Sequence, residues 1–384
     1  MSQSIAERVA ELVRIPSVNP LQAGPRSGDG AETPLVEWMA DRCTSMGADV
    51  TLDEVVGGRS NVYARFEGES DKALTVDVHL DTVGVEHMTR DPFDGAIEDG
   101  RVYGRGSVDT KATLAVVLSV LEELARDGRR TVPTLNLVGT VSEEMGGFLG
   151  AERYAAWLAE RGQQVDRIIV AEPTSCAPVH GHKGTVGLEI AIQGHAAHSA
   201  MTHLGENSIS AAARVVAALD VEHERLASET PSTPVGLATI AVTEIAAGLG
   251  RNIIPDHCDV YADRRVVPGE DPDAVFSRLT EVVAEAARPA SVEVTTPYGR
   301  GFSAFYEDAD SQVVELLSEL GGGHAGTADY CSNALMYGST SGQVVVFGPG
   351  SIDQAHQAVE WVEIAELEKA VDVYRSILAE PTAG

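Results

Sequence analysis

The sequence predicts an α/β fold, a sheet with helices on both faces, interrupted by a smaller α+β insert. Three observations carry that prediction. Short β-branched runs alternate with helical patterns through the first half of the chain. The stretch 183–296 changes texture, with strand-like runs set against two long helical runs. Beyond it, a helix, a strand and a final helix return the chain to its first domain. With 384 residues and 43% hydrophobic content, there is enough apolar material for two cores. The expected domains are therefore 1–182 with 297–384, and the insert 183–296.

The elements follow in order. Ile5, Val9, Leu12 and Val13 fall on one face of an N-terminal helix, with charges between them. Ala73–His79 (ALTVDVH) reads as a buried strand, Thr113–Ala125 as a helix, and Thr134–Thr140 (TLNLVGT) as a second strand. Ala151–Arg161 reads as a helix and Arg167–Ala171 (RIIVA) as a third strand. In the insert, Gly187–Ile192, Leu237–Ile245 and Val260–Val267 read as strands, and Ser208–Leu219 and Pro272–Ala287 as helices. Then come a helix at Ser311–Leu320, the loop GGGHAG, a strand at Gln343–Phe347 and a last helix.

Asp and Glu number 58 against 28 Lys and Arg, a formal net charge of −30, and the only lysines are Lys72, Lys111, Lys183 and Lys369. That balance excludes a sequence-independent nucleic-acid binder and a surface that docks on anionic lipid. The four cysteines, Cys43, Cys176, Cys258 and Cys331, lie far apart without CxxC spacing, so neither a zinc finger nor a redox pair is expected. The N-terminus lacks the apolar run of a signal peptide, and no stretch approaches the ~20 apolar residues of a membrane span. The expectation is a soluble cytoplasmic protein.

Five acidic or histidine-bearing pieces stand at the ends of the expected strands: His79-Leu-Asp81, Asp109 in GRGSVDTK, the pair Glu143-Glu144, Glu172 in AEPT, and His356 in GPGSIDQAH. In an extended chain, residues i and i+2 point the same way, so His79 can ligate a metal while Asp81 steadies it. Each piece alone is ordinary. Asp109 can be a helix N-cap, and adjacent glutamates commonly open a helix. Their shared position at strand C-termini, where open α/β sheets place their sites, is what converges two histidines and three carboxylates on one cleft. That set suits a pair of divalent ions, zinc first, with cobalt or manganese as alternatives. The glycine loops do not support a nucleotide site: there is no GxxxxGK[ST], and GRGSVD has the wrong spacing for a dinucleotide fingerprint.

The stretches HLDTV, DPFDGAIEDGRVYGRGSVDTK, SEE, AEPT, HKG, QGHAAHSA, RNIIP and GPGSIDQAHQ run in one order from residue 79 to 357. Together they resemble the di-zinc aminoacylase and carboxypeptidase family of metallopeptidases. The resemblance implies an exopeptidase-like di-metal catalytic domain on a mixed sheet, and an inserted ferredoxin-like domain for dimerisation or as a lid. It implies that Asp109 bridges two metals, with His79 and Glu172 at one and Glu144 and His356 at the other. Asp81 would orient His79, and Glu143 would be the general base for a metal-bridging hydroxide. His198, rather than its neighbour His195, matches a histidine that reaches across a dimer interface to hold the oxyanion. Asn252 and Arg265 match the residues that grip the substrate's α-carboxylate, a task suited to the forked guanidinium. Strand alternation lets only one of Arg264 and Arg265 face the site, and the family pattern selects Arg265.

Within that family, AEPTSCAPVHGHKG and GPGSIDQAHQ look closest to acetylornithine deacetylases. The implied activity is removal of the acyl group from an N-acyl-L-amino acid, N-acetylornithine first, which would place the chain in arginine biosynthesis. In one departure, Thr327, Ala328 and Asp329 stand where those enzymes carry a Cys-Thr-Glu-Ala type segment. A dipeptidase or carboxypeptidase, or a succinyl-diaminopimelate desuccinylase, is the alternative within the family. A non-catalytic binding relative is the remote one, disfavoured because all five ligand positions and Glu143 are present.

Overall fold

The computed structural model describes residues 3–28, 31–145, 147–229, 231–338, 340 and 342–380. It divides into two compact units, Met1–His180 with Glu307–Gly326 and Ser332–Gly384, and Gly181–Tyr306 with Thr327–Cys331. The second unit thus runs past the 296 read from the sequence. Main-chain bonds between Thr185 and Phe302, at 2.8 and 3.1 Å, stitch that continuation onto the start of the unit. Thr327 is tied to the Pro234 carbonyl at 3.3 Å, which brings the 327–331 loop to the same unit.

The first unit is built on β1 (Asp49–Val56), β2 (Arg59–Phe66), β3 (Ala73–His79), β4 (Thr134–Thr140), β5 (Arg167–Val170) and β6 (Gln343–Val346). Their order is β1-β2-β4-β3-β5-β6. The last four are mutually parallel, and the β1–β2 hairpin joins antiparallel, so the sheet is mixed. Its helices are α1 (Ile5–Val13), α2 (Thr33–Ser45), α3 (Lys111–Arg126), α4 (Leu149–Glu160), α5 (Gln312–Gly321) and α6 (Ile364–Ala379). Leu74, Val76 and Val78 of β3 and Leu135 and Leu137 of β4 pack into one core with α1, α2, α3, α5 and α6. On the other face, the Tyr154 hydroxyl of α4 lies 3.1 Å from that of Thr75, and the Tyr154 ring lies 5.0 Å from Tyr63. With both faces covered, the polar positions that alternate with these apolar ones, Thr75 and Asp77 of β3 and Thr134 and Asn136 of β4, are buried as well. Each large apolar side chain buried there contributes ~1.5–3 kcal/mol.

A capping box, Ser4 with Glu7, starts α1. Helix α3 begins after Thr110, which makes no side-chain cap bond, so Asp109 is not spent as its N-cap. A small antiparallel sheet joins Ile97–Glu98, Arg101–Tyr103 and Trp361–Glu363. No disulfide joins the four cysteines among the described residues. Among the described residues, no helix is long and apolar enough to cross a membrane.

The second unit has a four-stranded antiparallel sheet in the order Thr239–Ala247, His257–Val266, Gly184–Gln193, Ser291–Thr295. The helices Ser208–Glu229 and Pro272–Ala287 supply its core, where Ala211, Val215, Leu219, Leu279 and Val283 meet Val186, Leu188 and Ile190. Chain order β-α-β-β-α-β with this strand order is the ferredoxin-like arrangement. The first helix runs ten residues beyond its sequence-read end. Its charged last turns are anchored by Glu222, which receives Arg225 at 2.6 Å and Arg278 at 3.0 Å. A separate two-stranded ladder pairs Ala197–His198 with Ile253–Ile254.

Candidate active site

The five ligand candidates meet in the first unit, at the C-terminal edge of its parallel strands. His79 ends β3 on the face it shares with Thr75 and Asp77, and only 3% of it is exposed. Its Nδ1 lies 3.0 Å from the Asp81 carbonyl, which directs Nε2 into the cluster, 3.0 Å from Asp109 Oδ1 and 3.9 Å from Glu172 Oε1. The sequence assigned the steadying of His79 to the Asp81 side chain, and the structure gives the contact to the main-chain oxygen instead. The Asp81 carboxylate, 3.9 Å from Nδ1, accepts the N–H groups of Glu143 and Glu144, both at 3.0 Å, and the Asn19 amide at 2.8 Å.

Those bonds shape the glutamate pair. After β4, Ser142 turns at φ +68°, and its N–H donates to the buried Glu32, itself paired with Arg59. The turn sends Glu144 toward His356, whose Nε2 lies 3.1 Å from Glu144 Oε2 and 3.2 Å from Asp109 Oδ2. Asp109 therefore presents one oxygen to His79 and the other to His356. Glu172 follows β5, where the Ala171 N–H bonds to the Asp77 carbonyl at 2.8 Å. Sequence reasoning did not find Asn19 or Glu32; neither lies in a recognisable pattern, and both act through folded contacts.

The electrostatics show a surplus of buried negative charge. Burial raises Glu143 and Glu172 well above the usual carboxylate range, and neighbouring carboxylates push in the same direction. Burial, then Asp109, raises Glu144. Burial opposes charge on His79, yet Asp109 carries its pKa well above the ordinary value. Hydrogen bonds to Asp109 and Glu144 lift His356 to about 11. Glu144 Oε1 is buried without a hydrogen-bond partner. Donor atoms of His79, Asp109 and Glu144 all lie within 4.8 Å of one another. Imidazole and carboxylate donors, excess negative charge and an orphaned carboxylate oxygen together fit divalent cations.

The remaining sequence candidates lie in the second unit. His198 lies on the short ladder and Asn252 just before its second strand, where the Ser199 N–H bonds to the Asn252 carbonyl at 2.9 Å. The Ala200 N–H donates to His198 Nδ1 at 3.1 Å, leaving Nε2 as the protonated nitrogen of the neutral ring. Arg265 keeps about a third of its side chain exposed (34%), with Nε 2.9 Å from Asp263 and Nη1 3.1 Å from Cys331 Sγ. Arg264 points to the other face of the same strand, where it is buried and paired with Glu270 at 2.5 Å.

Comparison with known proteins agrees with this architecture. Residues 75–380 match the profile of peptidase family M20/M25/M40. An acetylornithine deacetylase of Aliivibrio salmonicida (strain LFI1238) is 26% identical over 368 residues, covering 94% of this chain and 95% of that protein. An M20 family metallo-carboxypeptidase of Sulfolobus solfataricus superimposes with a TM-score of 0.80 at 19% identity, covering 98% of both chains. A dinuclear metal-binding M20 peptidase of Bacillus subtilis superimposes at 0.66 with 16% identity, covering 97% of this chain and 96% of that one.

Proposed function

The chain belongs to peptidase family M20/M25/M40, a hydrolase of amide bonds, and from that premise we propose that it removes the acyl group from N-acyl-L-amino acids, with N-acetyl-L-ornithine its leading substrate. The observation that carries the proposed chemistry is Asp109, whose two oxygens face two separate donor groups. His79 and Glu172 would hold one divalent ion, Glu144 and His356 a second, and Asp109 both, zinc being the metal first expected. Two such ions supply Lewis acidity, which acidifies water and polarises an amide carbonyl.

The protein's own groups then divide the work. Glu143 takes a proton onto a carboxylate oxygen and returns it to the leaving amine nitrogen. Its raised proton affinity, caused by burial and neighbouring carboxylates, suits a group that must both accept and release. Asp81 fixes the backbone from which Glu143 and Glu144 project. His198 offers an Nε2–H donor for the carbonyl oxygen, in the manner of the family's dimer-interface histidine, so a homodimer is part of the reading. Asn252 and Arg265 bind the α-carboxylate, a reading supported by the pairing of Arg264 with Glu270.

The 327–331 loop favours a second reading on the same chemistry, a dipeptidase or carboxypeptidase. Asp329 is 95% exposed and contacts Lys183 at 3.3 Å, where the deacetylase branch has a different segment. A hydrolysis screen of metal-reconstituted protein separates the two. Chelator-sensitive release of ornithine from N-acetyl-L-ornithine, above release from other N-acetyl amino acids, N-succinyl-diaminopimelate and dipeptides, supports the deacetylase. Preference for dipeptides moves the assignment to the peptidase, and no metal-dependent release from any of them defeats both.

A further inference from the structure

The loops that carry Asp109 and His356 are far apart in sequence and are laid side by side by a short antiparallel ladder. Tyr103 pairs with Trp361, and the Gly104 N–H donates to the Glu360 carbonyl at 3.0 Å. Just past the end of this ladder stand Arg105 and Glu360, each 1% exposed, with their side chains in an ion pair. The other Glu360 oxygen accepts the N–H groups of Val108 at 3.1 Å and of Asp109 at 3.4 Å. Arg105 Nη2 donates to the Gly84 carbonyl at 3.1 Å, and it lies 3.5 Å from the carbonyl of Gln357, the residue beside His356.

Both loops need such tethers. The Asp109 loop contains Gly104 at φ +130° and Gly106 at φ +82°, so its own backbone restrains Asp109 weakly. His356 sits at φ +59°, a conformation that a non-glycine residue keeps only where its surroundings hold it. A buried ion pair is by itself a poor stabiliser, because desolvation offsets the attraction, so its placement here asks for another reason.

We infer that Arg105 and Glu360 are positioning residues that lock the Asp109 loop to the His356 loop and so hold those two side chains in register with Glu144. The inference rests on the two-ion reading of the site. On that reading, the pair tethers both Asp109 and His356 at one position, but only the shared Asp109 at the position of His79 and Glu172. His79 is held independently by the Asp81 carbonyl.

The test uses the full chain, stripped of metal and titrated with Zn²⁺ against a chromophoric chelator. Glu360→Gln keeps the shape and an acceptor for Val108 while removing the charge that faces Arg105, and Arg105→Lys keeps the charge but loses the fork. Wild-type protein should take two ions. In each variant the affinity for one ion should fall by about 10–100-fold, while that for the other changes by less than about threefold and far-UV circular dichroism stays that of wild type. Two affinities that match wild type in a folded variant, or that fall equally, overturn the positioning role. If Glu360→Gln does not fold, Arg105→Lys decides by the same criteria. A wild-type protein that takes fewer than two ions overturns the two-ion reading, and this inference with it.

Discussion

The two units hold most of their candidate functional groups in opposite ways, with His356, half exposed in the first, as the exception. In the first, His79, Asp109, Glu143 and Glu172 are at most 8% exposed, and main-chain groups fix the segments that carry them. In the second, His198 on a two-residue ladder and Asn252 beside it are exposed, and Arg265 keeps a third of its side chain in solvent. Burial in the first unit gathers acidic groups whose charge is costly to leave unbalanced and is relieved by protons or by divalent cations, which suits Lewis-acid chemistry. Exposure in the second suits groups that must meet a charged substrate and let it go. The comparison teaches that removing a group from the first unit should abolish chemistry or metal, whereas removing Asn252 or Arg265 from the second should weaken recognition.

The largest break should come from Glu143→Gln. It removes a proton carrier and no proposed ligand, so kcat should drop on the order of a thousandfold. Metal content measured on the same sample should stay at the wild-type value, and activity within tenfold of wild type would remove Glu143 from the mechanism. Next, His356→Ala should lower the affinity of one ion by about 10–100-fold in chelator competition. Equal loss of both ions would contradict the division of ligands around Asp109.

The second unit should answer differently. Arg265→Ala should raise KM for the acyl amino acid by at least about tenfold with a smaller change in kcat, because a carboxylate is gripped alike in the ground and transition states. Arg264→Ala, at the neighbouring position, should lower thermal stability while leaving KM within about twofold, since a buried charge-assisted bond is lost and no substrate contact. Steady-state kinetics and melting curves on the pair sharpen the assignment, and a KM effect at Arg264 instead would reverse it.

The smallest expected effect is one of pH. Hydrogen bonds, first from Arg225 and then from Arg278, pull Glu222 down from its ordinary 4.5 to about 2. A depressed carboxyl stabilises the fold above its unfolded-state value and loses that contribution as pH falls toward the folded one. Wild-type protein should therefore lose stability relative to Glu222→Gln between about pH 4.5 and 2, by about 1 kcal/mol given the exposure of the arginines. Parallel acid-denaturation curves for the two proteins would argue that the Glu222 network contributes nothing.

Much of the architecture was legible. Ala73–His79 and Thr134–Thr140 come out as read, because Leu74, Val76 and Val78, and Leu135 and Leu137, recur at the period of two that marks one apolar strand face. Pro272–Ala287 comes out with the same bounds, since Asp271 caps it and a proline opens it. The hairpin of β1 and β2 was not among the expected elements. Its edge strand, DVTLDEVV, is largely exposed, and the Gly57-Gly58 turn was the one strong signal for it. In the site, the structure brings His79 within hydrogen-bond reach of Asp109, and His356 within reach of both Asp109 and Glu144. The actual contact of Asp81 with His79, and the tethers Asn19, Glu32, Arg105 and Glu360, were not visible beforehand.

Sequence by itself determined the family, the α/β class and the residue types at each strand end, because hydrophobic period and motif order are local properties of the chain. Only tertiary structure decided which oxygen of Asp109 faces which histidine, which of two adjacent arginines is spent on Glu270, and that Glu360 reaches back across some 250 residues to Asp109. Those outcomes depend on burial and on long-range hydrogen bonds, which exist only once strands distant in sequence have been laid side by side.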